Sequence, residues 1–110
     1  MIELEKEFIG IGEVKGFKFK QIKCNDCAYI YEVKSEFNNN KYYEVFERKI
    51  SKGNDMMIAG IEVHFEEKEI YPKSNSFGIW AWTYTSYDKA IEKFQDIINR
   101  KNNLNYLNKN

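Results

Sequence analysis

Phe77-Gly-Ile-Trp-Ala-Trp-Thr-Tyr-Thr-Ser-Tyr-Asp-Lys-Ala-Ile-Glu-Lys-Phe94 carries both tryptophans of the chain and then changes its rhythm. In Gly78–Tyr84, Trp80, Trp82 and Tyr84 alternate with Ile79, Ala81 and Thr83, the period of two that a strand requires. Apolar residues on both faces make this a central strand, with the indoles clamping sheet to helix. At Thr85-Ser86 a hydroxyl cap followed by Asp88 starts a helix. Ala90, Ile91, Phe94, Ile97 and Ile98 then recur at helical spacing, with Lys89, Glu92, Lys93, Gln95 and Asp96 facing away. The helix is expected to end near Arg100-Lys101, leaving 102–110 as a frayed tail whose apolar residues are Leu104, Tyr106 and Leu107.

Working outward, Phe17 and Phe19 oppose Lys18 and Lys20 in a half-buried strand, and Cys24-Asn25-Asp26-Cys27 turns the chain. Ala28 to Phe37 sets Tyr29, Tyr31 and Val33 against Ile30, Glu32 and Lys34. Asn38-Asn39-Asn40 is the next turn, and Lys41 to Ile50 returns as the hairpin partner. Met57 to Glu67 reads as one strand, with Met57, Ala59, Ile61, Val63 and Phe65 inward and Gly60, Glu62, His64 and Glu66 outward. Strands first and one helix last give an α+β fold: about five strands in a twisted antiparallel sheet built as a hairpin meander, with the C-terminal helix on one face. The 110 residues suit a single domain, 1–110.

Charge narrows the function classes. Seventeen basic residues balance seventeen acidic ones, so neither a basic field for nucleic acid nor an acidic imitation of phosphate is expected. The sequence offers no signal peptide and no apolar run of membrane-spanning length, which predicts a cytoplasmic protein with reduced cysteines.

Few constellations suggest chemistry. Cys24 and Cys27 have the spacing of half a zinc site, and a zinc-linked dimer would complete it; a turn carrying two thiols is the simpler reading. His64 is the only histidine, and no nucleophile elbow accompanies it. No enzyme and no cofactor are therefore expected. Lys15, Phe17, Lys18, Phe19 and Lys20 form the segment KGFKF, which is similar to the aromatic RNA-binding strands of RRM and cold-shock domains. That likeness keeps single-stranded nucleic acid as an alternative partner. Tyr29, Tyr31, Tyr42 and Tyr43 fall on adjacent strands; together with the KGFKF edge they are the candidate binding residues. Their rings are core if the helix covers them and an interaction patch if it covers the other face.

The pattern Tyr43-Glu-Val-Phe-x-Arg-Lys49, then Tyr71-Pro-Lys-x-x-x-Phe-Gly-x-Trp-Ala-Trp-Thr83, then Ala90 and Phe94, resembles a group of small proteins encoded by bacteriophages and other mobile elements. The likeness spans roughly residues 29 to 98. It implies a mobile-element accessory protein; such proteins of this size are often non-enzymatic inhibitors that bind host machinery, anti-CRISPR proteins among them, and a stoichiometric inhibitor of host defence is the expectation. Its partner would be a host protein or ribonucleoprotein, bound by a monomer or homodimer.

Overall fold

The computed structural model describes residues 1–108, and for residues 105–108 the backbone alone. Nine strands and one long helix follow in order: β1 Glu7–Ile9, β2 Phe17–Cys24, β3 Ala28–Ser35, β4 Lys41–Glu47, β5 Ile50–Ser51, β6 Asn54–Ile58, β7 Ile61–Phe65, β8 Lys68–Glu69, β9 Ala81–Tyr84 and α1 Tyr87–Asn108. Five of the strands form one antiparallel sheet in the order β1-β2-β3-β4-β9, and α1 packs across one face. The fold is α+β, as the sequence predicts.

The helix begins where the rhythm changes. Ser86 Oγ accepts the Lys89 backbone N–H at 3.3 Å, a side-chain cap on the first turn. Ala90, Phe94 and Ile97 are buried against Ala28, Ile30, Tyr43 and Val45, with Ile91 and Ile98 partly covered beside them. The helix then runs past Arg100-Lys101 to Asn108, so residues 102–108 continue a regular element instead of fraying. Arg100 reaches back to Asp96 at 2.6 Å, a four-residue pairing that supports this last stretch. The side chains of Tyr106 and Leu107, expected to pack on the body, lie outside the described residues.

Two expectations about the tryptophan segment are corrected. β9 is an edge strand, because the chain between β4 and β9 folds back on itself and adds nothing to the sheet. The indoles also lie on opposite faces. Gly78 turns with φ 89°, the Trp80 N–H bonds to the Ser76 carbonyl at 3.1 Å, and the strand starts only at Ala81. Trp80 thus belongs to the turn and packs edge-on to Phe46, with centroids 6.3 Å apart. Trp82 alone clamps sheet to helix, with Lys93 Nζ 3.9 Å from its ring centroid.

The face away from the helix decides whether the tyrosine rings are core or patch. Phe19, Tyr29, Tyr31, Val33, Phe46 and Ala81 form a second buried cluster there. The helix does not cover it. Leu4 of the N-terminal segment and the loop through Tyr71, Phe77 and Trp80 close over it, and Phe8 of β1 extends the cluster within the sheet. Phe8 stacks on its cross-strand neighbour Phe19 at 4.6 Å, and from the closing loop Tyr71 stands edge-on to Tyr31 at 5.0 Å. Fully burying one such ring contributes about 1.5–3 kcal/mol.

Met57 to Glu67 is not one strand. β6 and β7 form a separate hairpin whose two-residue turn is Ala59-Gly60, at φ 51° and 80°. Both positive angles match the turn whose twist suits a tight hairpin, and Gly60 adopts its angle without steric cost. The pairing β5–β8 forms the root of this arm, joined to the N-terminal segment by a bridge from Ile2 to Lys68. No helix among the described residues is long and apolar enough to cross a membrane.

Candidate functional site

Most of the expected binding residues serve the core. Tyr29, Tyr31 and Tyr43 are buried, and so is Phe19. Tyr42 and Phe17 are partly covered and meet edge-on at 6.2 Å. Tyr42 and Tyr43 take opposite faces of β4, so the tyrosines do not form one surface. Base stacking on Phe17 and Phe19 is closed off, since Phe8 and Tyr42 already occupy their faces and edges. Lys15, Lys18 and Lys20 remain exposed without an accompanying ring platform.

Cys24 is exposed and Cys27 partly buried against the helix-side cluster. Their turn is held by Asn25, whose Oδ1 accepts the backbone N–H groups of Cys27 and Ala28 at 2.8 and 2.9 Å. No group of three or more potential metal-ligating side chains occurs among the described residues. His64 instead pairs with Asp55 at 2.5 Å across the hairpin.

Two other features stand out. The first is the β6–β7 arm. Its register pairs Met56 with Val63 and Ile58 with Ile61, which puts these residues and Phe65 on one face; Asp55, His64, Met57 and Glu62 share the other. Ile58 and Ile61 are 48% and 66% exposed, so this apolar face looks outward unpartnered. Ile2, Met56 and Phe65 extend it along a shallow groove toward the root of the arm.

The second is a cavity of about 740 Å³ between the aromatic face and the loop that closes it. Phe8, Phe19, Tyr42, Tyr71 and Phe77 supply its aromatic walls, and Glu44 of β4 is set among them. Glu44 is only 8% exposed, and the Tyr71 hydroxyl donates to its Oε1 at 2.6 Å. Burial pushes this carboxyl up from its usual range, and the Tyr71 hydrogen bond offsets only part of that. Burial and the neighbouring Glu44 charge push the Tyr71 phenol far above its ordinary value, so it stays a donor. Tyr31 is likewise pushed up to about 12 by burial.

A contrasting carboxylate sits at the root of the arm. Glu69 Oε1 accepts from the Tyr29 hydroxyl at 2.5 Å and from the Leu4 N–H at 3.1 Å, while Arg48 Nε bonds to Oε2. Burial alone would raise its pKa; the Tyr29, Arg48 and Leu4 donors outweigh burial and bring it below the usual value. Three segments distant in sequence meet here: the N-terminal arm, the β3–β4 region and the hairpin root.

Glu44 draws no attention in the sequence, and Glu69, in the run with Glu62, Glu66 and Glu67, reads as a solvated strand face; the structure buries both. A signal for Glu44 was present, since in KYYEVFE it falls in phase with Tyr42 and Phe46, an acid at an inward position of a buried strand. No protein-family model matches the chain, and neither a curated protein nor a solved structure matches it.

Proposed function

We propose that the protein is a non-enzymatic binding protein that holds a partner protein stoichiometrically through the β6–β7 arm. The observation that carries this reading is the arm's outward apolar face, Met56, Ile58, Ile61 and Phe65, on a ribbon that pairs only with itself. A two-stranded ribbon has little stability of its own, and contiguous exposed apolar surface mainly marks contact sites. The opposite face carries the His64–Asp55 pair and Glu62, with Met57 its single apolar residue, and is mainly polar. The ribbon therefore presents one greasy side and two unpaired backbone edges, the requirements for side-chain docking and strand addition.

The likeness of the Tyr43–Thr83 pattern to mobile-element proteins directs the proposal to a host protein or ribonucleoprotein as partner, with inhibition of host defence as the outcome. The near-neutral charge favours shape and apolar contact over imitation of phosphate. Immobilised protein is expected to retain a discrete host protein at a fixed ratio, and the triple substitution M56S/I58S/I61S to release it. Equal retention by the triple variant, or a dimer of this chain dissociated by the same substitutions, would overturn the reading, the latter by assigning the face to a second copy.

A further inference from the structure

The cavity at Glu44 has no role in the arm's contact surface, and its chemistry points to a ligand of its own. A carboxylate this deeply buried is ordinarily accompanied by a cation or by enough donors to replace its water. Glu44 has one donor, Tyr71, and among the described residues no lysine, arginine or histidine forms an ion pair with it. Lys73 and Glu13 are exposed and also line the cavity, and the charged lining, Glu44 and Glu13 against Lys73, is net negative. An anionic ligand is therefore disfavoured.

The walls narrow the class further. Aromatic side chains attract organic cations through their ring quadrupoles and accept an apolar body alongside. The volume lies within the range of small-molecule sites. From the buried, cation-free carboxylate in an aromatic cavity, we infer that Glu44 and the surrounding rings bind a small organic cation, an ammonium group carried on an apolar body. The ammonium sits against Glu44 and replaces the missing counter-charge; Tyr42, Phe77 and Phe8 enclose the body. This site is independent of the arm, so its failure and the failure of the partner reading are separate results.

The direction of the Glu44 shift adds a pH signature. The groups facing it are Tyr42 on its own strand, Tyr71 from the closing loop, Tyr31 on the adjacent strand, and Glu13 and Lys73 of the lining. The phenols of Tyr31, Tyr42 and Tyr71 are all pushed above their ordinary values by burial, so affinity for a permanent cation should rise with pH as Glu44 ionises.

Phenyltrimethylammonium and its neutral isostere tert-butylbenzene, titrated by NMR against the full chain, test the site. The cation is expected to bind saturably, at least tenfold tighter than the isostere near neutral pH, and to lose at least tenfold in Glu44→Gln. Should Glu44→Gln fail to fold, Phe77→Leu, which removes a ring from around the shared apolar body, is expected to weaken the cation and the isostere alike by several-fold, leaving the preference for the cation that Glu44 supplies. Absence of saturable binding to the native protein, equal affinity for cation and isostere, or unchanged cation affinity in the folded variants would each overturn the proposal.

Discussion

Glu44 and Glu69 are buried to nearly the same degree, at 8% and 6% exposure, on the same aromatic side of the sheet, yet their surroundings differ in kind. Glu69 accepts bonds from Tyr29, Leu4 and Arg48 and has its charge matched; Glu44 has Tyr71 alone and a cavity in front of it. The first arrangement is a lock that ties three segments together. The second has a single donor and opens onto a cavity, where solvent or a ligand meets the rest of the carboxylate. Equal burial therefore does not imply equal purpose; the count and charge of the donors decide.

The largest expected effect breaks the lock. Glu69→Ala leaves Arg48, Tyr29 and the Leu4 N–H without their common acceptor, and should cost about 3 kcal/mol in urea unfolding. Because Glu69 belongs to the hairpin root, the same variant should speed amide exchange in β5–β8 before it does so in β3 and β4. Loss of under 1 kcal/mol would place Glu69 with ordinary surface pairs.

Glu44→Gln should move stability the other way. The amide oxygen still accepts from Tyr71, and the cost of burying an ion disappears, so the unliganded variant is expected to gain about 1 kcal/mol near neutral pH. The pH profiles should then diverge in sign. Glu69 has a lowered folded pKa, so its contribution is present above the unfolded value and is lost as pH falls through the folded value. Glu44 has a raised folded pKa, so its contribution is present below the unfolded value and is lost as pH rises through the folded value. Urea midpoints measured across the acid range should show the advantage of Glu44→Gln fading as pH falls. A constant advantage would mean that Glu44 is not the group responsible.

The smallest effect belongs to the arm. M56S/I58S/I61S removes apolar side chains from water-facing positions, so global stability should change by no more than about 0.5 kcal/mol per site, against the several kcal/mol of a core truncation. A large loss would reveal that the face packs within the chain.

How much of this was legible follows from which interactions are local. The helix stripe Ala90–Phe94–Ile97 and the alternation of Phe17, Phe19, Tyr29 and Tyr31 are written in neighbouring residues and were read correctly. The hairpin was not, because Ala59 is an unusual residue at φ 51° and Ile61, Val63 and Phe65 continue an apparent alternation across the turn. The separation of Trp80 from Trp82 was hidden for a similar reason: a turn anchored on Ser76 overrides a period-two pattern. Burial of the tyrosine face depends on Leu4 and Phe8, which precede the tyrosine strands in sequence, and on Tyr71, which follows them. The Gln21/Lys23 register shift on β2, which brings Lys23 over Phe94 at 5.7 Å, likewise leaves no mark in the spacing. Of the candidate site, only the in-phase Glu44 left a sequence signal, and its lack of a counter-ion is a property of three dimensions.

The most direct test is a carboxyl-carbon NMR titration that follows Glu44 and Glu69 in one sample, with and without phenyltrimethylammonium. A Glu44 midpoint above the ordinary carboxylate range that falls when the cation binds is expected, beside a Glu69 midpoint below that range that does not move. A Glu44 midpoint at or below the ordinary range, or one indifferent to the cation, would contradict that expectation.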